Sequence, residues 1–231
     1  MVKAAKSAGL HHLRTISEPN AAILAAGYLE EYIIRSQKVM VFDLGHKTCN
    51  ICVVQIDEGN LDVEGEECDP NLGGHDIDVA LAQHCMDKFN ELTGSCLIYH
   101  DPDNKQKSDD LARECELAKE VLQLSEETTV TLPSFHEGQD LEVTVTREKL
   151  EELAEETLSR VKELLNRVIE ENLLDGEEYE ILLVGGSSRL LCVRNLLEEV
   201  TGQKLNAELE PDTAVAKGAT LMARSILEEG S

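Results

Sequence analysis

Two short runs of branched apolar residues, each closing on glycine, constrain the possible folds of this chain most tightly. Val39 to Thr48 (VMVFDLGHKT) and Ile181 to Arg189 (ILLVGGSSR) both read as buried strands that deliver a tight polar turn at the carboxyl end. In open α/β sheets that end is where ligands sit. Two such turns in one chain point to a phosphate-handling crevice, and the fold class that follows is α/β.

With 231 residues, the chain has the length for one large or two modest domains. Its 46 acidic side chains against 21 basic ones leave a formal net charge of -25, which repels nucleic acids and anionic membranes, so neither is expected as a partner. Most of this acid excess reads as solvated helix faces. Seven cysteines without framework spacing fit reduced thiols in a cytoplasmic setting. Cys49 and Cys52 have the spacing of a metal or redox pair, but they fall in a predicted strand, where residues three apart face opposite ways. The seven histidines lack ligand spacing, so no metal cluster is expected from them. No apolar run reaches the roughly 18 residues that a membrane span needs.

Along the chain, short helices are predicted at 2 to 9 and, after His11 and His12, from Pro19 to Tyr28, with Pro19 suited to a first turn. Strands follow at 38 to 44, 49 to 56 and 61 to 66, the last two joined by a hairpin turn at 57 to 60. A helix bearing Ile77, Leu81, Cys85 and Phe89 runs to about residue 92. Residues 100 to 110 read as a loop, 111 to 124 as an amphipathic helix, and 128 to 132 with 141 to 146 as a β pair. The longest helix is expected from Arg147 to Leu174, supported by Glu156 with Arg160 and Glu163 with Arg167 at helical spacing, and packed on a sheet. After the turn at Asp175 and Gly176 come the second glycine-ended strand, a helix from Leu190 to Val200, and a last helix from Ala214 to Leu227. The small residues Ala214, Ala216, Gly218 and Ala219 of that last helix allow close backbone approach.

Chemistry concentrates at the turns. An aspartate at a strand end, Asp43, can hold a hydrated magnesium ion, while the amides from Gly45 to Thr48 and the Thr48 hydroxyl can bind phosphate oxygens; Asp43 also reads as a turn former. Gly185-Gly186-Ser187-Ser188-Arg189 lets a nucleoside lie against bare backbone, with the arginine plane available to stack on a base. The alternative is a plain strand-to-helix turn capped by Ser188. Glu116 and Lys119 suit ribose hydroxyls, or form a surface ion pair.

In this order and spacing the segments resemble the ATPase domain of the heat shock protein 70 chaperone family, within the actin and sugar-kinase superfamily. Residues 16 to 22 (ISEPNAA) are similar to its INEPTAA, VFDLGHKT to FDLGGGT, 72 to 78 (LGGHDID) to LGGEDFD, and 115 to 119 (CELAK) to CERAK. LLVGGSSR and 210 to 219 (EPDTAVAKGA) are similar to VLVGGSTR and NPDEAVAYGAA. The resemblance covers nearly the whole chain and implies an actin-like, ribonuclease H-like lobe: a base subdomain (1–72 and 153–231) carrying an upper α+β subdomain (73–152).

It also implies ATP or ADP with magnesium as cofactors. Asp43 matches the magnesium-site aspartate, acting through water, and Glu18 the carboxylate near the hydrolytic water. Gly45, His46, Lys47 and Thr48 match the phosphate segment, Glu116 and Lys119 the ribose contacts, and Gly185, Gly186 and Ser187 the adenosine segment. Arg189 matches the base-stacking arginine and Asp212 a further nucleotide-site acid. Implied partners are exchange factors and co-chaperones at the upper subdomain, the first lobe of the same ATPase domain, and unfolded clients held by another domain.

Several positions depart from the family's pattern. His46 and Lys47 replace glycines, with strain expected wherever the turn needs positive φ. Asn50 replaces an aspartate, His75 an acid, and Glu120 and Gln123 a second base-stacking arginine and a serine. The family's first phosphate segment and catalytic lysine belong to the other lobe. The chain therefore reads as an excised second lobe, with Met1 an internal boundary, that should not hydrolyse ATP alone. A pseudo-ATPase or co-chaperone-like module is the alternative; a sugar kinase or filament former fits the motifs less well.

Overall fold

The computed structural model describes residues 2–9, 14–27, 37–174, 176–203, 205–206 and 209–229. His11, His12, the expected helix end at Tyr28 and Asp175 of the turn lie outside them. Five strands form one mixed sheet: β1 (Gln37–Leu44), β2 (Cys49–Asp57), β3 (Asn60–Asp69), β6 (Tyr179–Val184) and β7 (Leu205–Asn206), in the order β3-β2-β1-β6-β7. β1, β2 and β3 are consecutive antiparallel neighbours, whereas β1 with β6 and β6 with β7 are parallel. β3 is an edge strand, and Asp62, Glu64, Glu66, Glu67 and Asp69 line it.

β1 and β6 are continuous apolar runs because both faces of the sheet are covered. Met40, Phe42, Leu44, Ile181 and Leu183 join one core cluster, which extends through α6 (Glu155–Asn172) and α7 (Leu191–Thr201). Val39, Val41, Leu182 and Val184 join the other, with Ala22 and Ile23 of α2 (Glu18–Ala25) and Ala214 of α8 (Ala214–Glu229). Cys49 falls in the first cluster and Cys52 in the second, so the CxxC pair is split across the sheet, and all seven cysteines are free.

α2 begins where the sequence signals it: the Ser17 side chain accepts from the Asn20 amide (3.4 Å) and Pro19 occupies the first turn. α2 lies against α8 so closely that a Cβ on Gly218 would come 1.7 Å from the Ala21 carbonyl oxygen. The helix α1 (Val2–Ser7) is exposed.

Between β3 and β6 run α3 (Gly74–Thr93), α4 (Lys105–Val121), the hairpin of β4 (Glu127–His136) and β5 (Gln139–Thr146), and α5 (Arg147–Leu153). Their apolar faces continue the first core cluster without a gap; Leu81, Cys85, Cys115 and Leu141 are fully buried. Three expectations are corrected here. The segment 100 to 110 is not all loop, since a 3-10 turn at Pro102–Asn104 leads into α4 at Lys105. The long helix is broken at Ala154 into α5 and α6. Arg160 and Arg167 reach across to Asp69 (2.8 Å) and Glu67 (3.1 Å) of β3 instead of pairing along their own helix. Among the described residues, no helix is long and apolar enough to cross a membrane.

Candidate functional site

Asp43 and Val184 are register partners, so the two glycine turns emerge side by side from adjacent parallel strands. The first is the loop of the β1–β2 hairpin, closed by the Gly45 amide donating to the Thr48 carbonyl (2.9 Å). His46 and Lys47 lie at ordinary φ, so the turn needs no left-handed residue there and the expected strain does not arise. Their side chains are exposed. The start of α3 docks on this turn: the Gly74 amide donates to the Gly45 carbonyl (3.0 Å) and the His75 amide to the His46 carbonyl (2.7 Å).

The second turn does require glycine. Gly185 has φ of +80°, and a Cβ there would sit 2.3 Å from the Leu44 carbonyl oxygen and 2.6 Å from Asp43 Oδ1. Its amide donates to the Pro211 carbonyl (3.2 Å), which ties the turn to the segment carrying Glu210 and Asp212. Ser188 donates its hydroxyl to the Gly185 carbonyl (2.7 Å), stitching the turn internally.

Beside these turns lies an open cleft of about 740 Å³. It is lined by the predicted residues His46, Glu116, Lys119, Gly186, Ser187, Arg189 and Asp212, and by Glu120, Gln123, Leu124, Arg194, Asn206 and Glu210. Glu18, Asp43, Gly45, Lys47, Thr48 and Gly185 lie off its lining. Arg194, which no motif singled out, adds a cation to a wall where Glu120 and Gln123 supply none. The Arg189 guanidinium is drawn toward Glu210 (2.6 Å) and Asp212 (2.7 Å) in an exposed cluster.

Lys119 is not in a surface pair with Glu116. It is buried, 2.7 Å from Asp78 Oδ1, and donates to Asp78 Oδ2 (2.8 Å) and the Gly74 carbonyl (3.1 Å). Burial drives the Asp78 carboxyl up and the Lys119 ammonium opposes it. Asp78 was not predicted as a functional residue, and its separation from Lys119 in the chain hides the pair. A second correction concerns histidines: His46, His75 and Asp78 bring one ligand atom each to within 4.8 Å of one another, despite the absence of ligand spacing in the sequence. Burial, with His46 and Lys47 adding to it, lowers the His75 pKa and favours its neutral ring.

Asp43 sits in a poorly solvated position beside Glu18, and its pKa is raised to about 6, first by desolvation and then by the Glu18 charge. Asn50, its register partner across β2, adds no charge of its own. Between the unfolded carboxylate pKa of about 4 and that value near 6, the folded state holds the extra proton. Stability contributed by this group is therefore lost as pH rises through that window. Asp43→Asn should unfold about 2 kcal/mol later than the native chain at pH 7, and the two should converge near pH 4. Urea unfolding at the two pH values measures this difference.

A mixed five-stranded sheet covered by helices on both faces, with glycine turns at the ends of its central parallel strands, is the actin-like ATPase fold of ribonuclease H type. A family model described as Hsp70 protein matches residues 1–230. The heat shock 70 kDa protein of Emericella nidulans is 33% identical over 217 residues, covering 94% of this chain and 33% of the relative. The chaperone protein dnaK of Thalassiosira pseudonana is 33% identical over 227 residues, 96% of this chain and 36% of the relative. Heat shock cognate 70 kDa protein 3 of Dictyostelium discoideum is 34% identical over 228 residues, again 96% and 36%. The chain belongs to the Hsp70 family and spans about a third of the length of these relatives.

Proposed function

We propose that the cleft binds an adenine nucleotide, ATP or ADP, with magnesium, and that the chain serves as the nucleotide-binding lobe of an Hsp70-type chaperone ATPase. The observation that carries this reading is the adjacency of Asp43 and Gly185 at two parallel strand ends, beside a cleft walled by Glu116, Lys119, Ser187 and Arg189. In this reading Gly185, Gly186 and Ser187 give backbone access to adenosine, and Arg189 lays its guanidinium on the base. Glu116 and Lys119 contact ribose, Asp212 orients Arg189, and Gly45, His46, Lys47 and Thr48 meet the phosphates.

Asp43 suits a hydrated magnesium ion, because its poorly solvated carboxylate beside Glu18 would gain from a neighbouring cation. Bound magnesium would neutralise charge developing on the phosphoryl oxygens. Glu18 holds the attacking water and accepts its proton. Turnover requires charge stabilisation from both sides of the phosphate, which the first lobe of such a domain supplies. We read 1–72 with 153–231 as the base subdomain and 73–152 as the upper one, whose outer surface would meet exchange factors and co-chaperones. Unfolded clients would bind through another domain of the intact cytoplasmic protein.

Calorimetric titration of magnesium-ADP into this chain should give saturable heat, and Arg189→Ala should weaken binding about tenfold through loss of the cation–π contact. Absence of heat in the native chain would overturn the reading. A second reading, an interaction module without turnover, is favoured by Lys119 being turned to Asp78 and by the side chains on the phosphate turn. It predicts no heat in the native chain and binding restored by His46→Gly with Lys47→Gly.

A further inference from the structure

We propose that His46, His75 and Asp78 form a binding site for a divalent transition-metal ion of the zinc class, at the seam between the β1–β2 turn and the start of α3. One ligand atom from each lies within 4.8 Å of the other two. Zinc bonds of about 2.0–2.2 Å in tetrahedral geometry place ligand atoms roughly 3.4 Å apart. Small rotations of two imidazoles, one exposed and one half-buried, close that gap.

The backbone already fixes the parts. The His75 amide donates to the His46 carbonyl (2.7 Å), and the two ring centroids are 4.9 Å apart. His75 and Asp78 are three apart in the first turns of α3 and share a face. Asp78 is 2% exposed, and its Oδ1 lies 2.7 Å from the Lys119 ammonium. An ionised carboxylate has about four acceptor positions, so it can keep Lys119 and still ligate. Lys119 spans both carboxylate oxygens and fixes their orientation, as outer partners of metal ligands do, which leaves an outer lone pair for the ion.

Two imidazoles and one carboxylate select zinc, cobalt or nickel over magnesium and calcium, which take oxygen donors. Three protein ligands leave a coordination position for water or an incoming group. This site is distinct from the all-oxygen magnesium position proposed at Asp43, shares His46 with the proposed phosphate contacts, and is therefore tested without nucleotide.

The test is a cobalt(II) and zinc titration of the chain without nucleotide, in a Cys68→Ser, Cys96→Ser background so that the exposed thiols hold no metal. One equivalent should bind in the micromolar range, cobalt giving visible bands of a low-symmetry, nitrogen-containing site. His46→Gln and His75→Gln should each weaken binding by at least about tenfold. Circular dichroism confirms that both variants fold, and millimolar magnesium should not compete. Binding weaker than about 100 μM, or binding retained by the double histidine variant, would overturn the proposal.

Discussion

Gly218→Ala should cost this chain about 3 kcal/mol or more of folding stability, read as a lower urea midpoint. A methyl at that position would stand 1.7 Å from the Ala21 carbonyl oxygen, which is backbone and cannot rotate aside. The only relief is for α8 to slide away from α2, opening the core of Ile23, Val39 and Ala214. Lys217→Ala, on the exposed side of the same helix, should stay within about 0.5 kcal/mol of the native chain. Equal midpoints for the two variants would show that the α2–α8 contact yields easily. The site would feel the same displacement, because α2 carries Glu18 and α8 follows Asp212.

Lys119→Met should be the other severe change, with a loss of about 3–5 kcal/mol, because it leaves the Asp78 carboxylate buried without its cation. Adding Asp78→Asn should recover much of that loss, since it removes the stranded charge. The single variant should approach the native chain at acid pH, where Asp78 becomes protonated and neutral. A loss below about 1 kcal/mol, unaffected by the second change, would mean that water reaches the pair. The double variant distinguishes a stability role from a ribose contact: recovered folding with magnesium-ADP affinity still reduced would assign Lys119 to the ligand.

The central strands were legible because burial on both faces forces continuous branched apolar runs, as in Val39 to Phe42 and Ile181 to Val184. Pro19 in the first turn of α2 and the glycine at 185 were legible because each answers a local backbone requirement, whereas the Ser17 cap was not read. The break at Ala154 was not, since alanine favours helix and the apolar periodicity runs through it. Packing decides it: α5 lies against α3 and β5, whereas α6 crosses β2 and β3. The first turns of α4 were hidden by their solvated lysines, glutamine and aspartates, which give no apolar stripe.

At the site, residue types were readable but partners were not. Lys119 finds Asp78 and Arg160 finds Asp69 across large separations in the chain, and helical spacing suggested nearer carboxylates for both. The histidine cluster was missed for the same reason, because its members come from a hairpin loop and a helix that only the fold brings together.

Among the described residues no strand pairs with the outer side of β3, and a bare row of amides and carbonyls there would template another chain. The carboxylates of β3 beyond those paired with Lys38, Arg160 and Arg167 make that rim repulsive between copies, while the two arginines hold it down onto α6. Part of the acidity that shapes this molecule thus acts as protection against fibril-like growth at an open β edge.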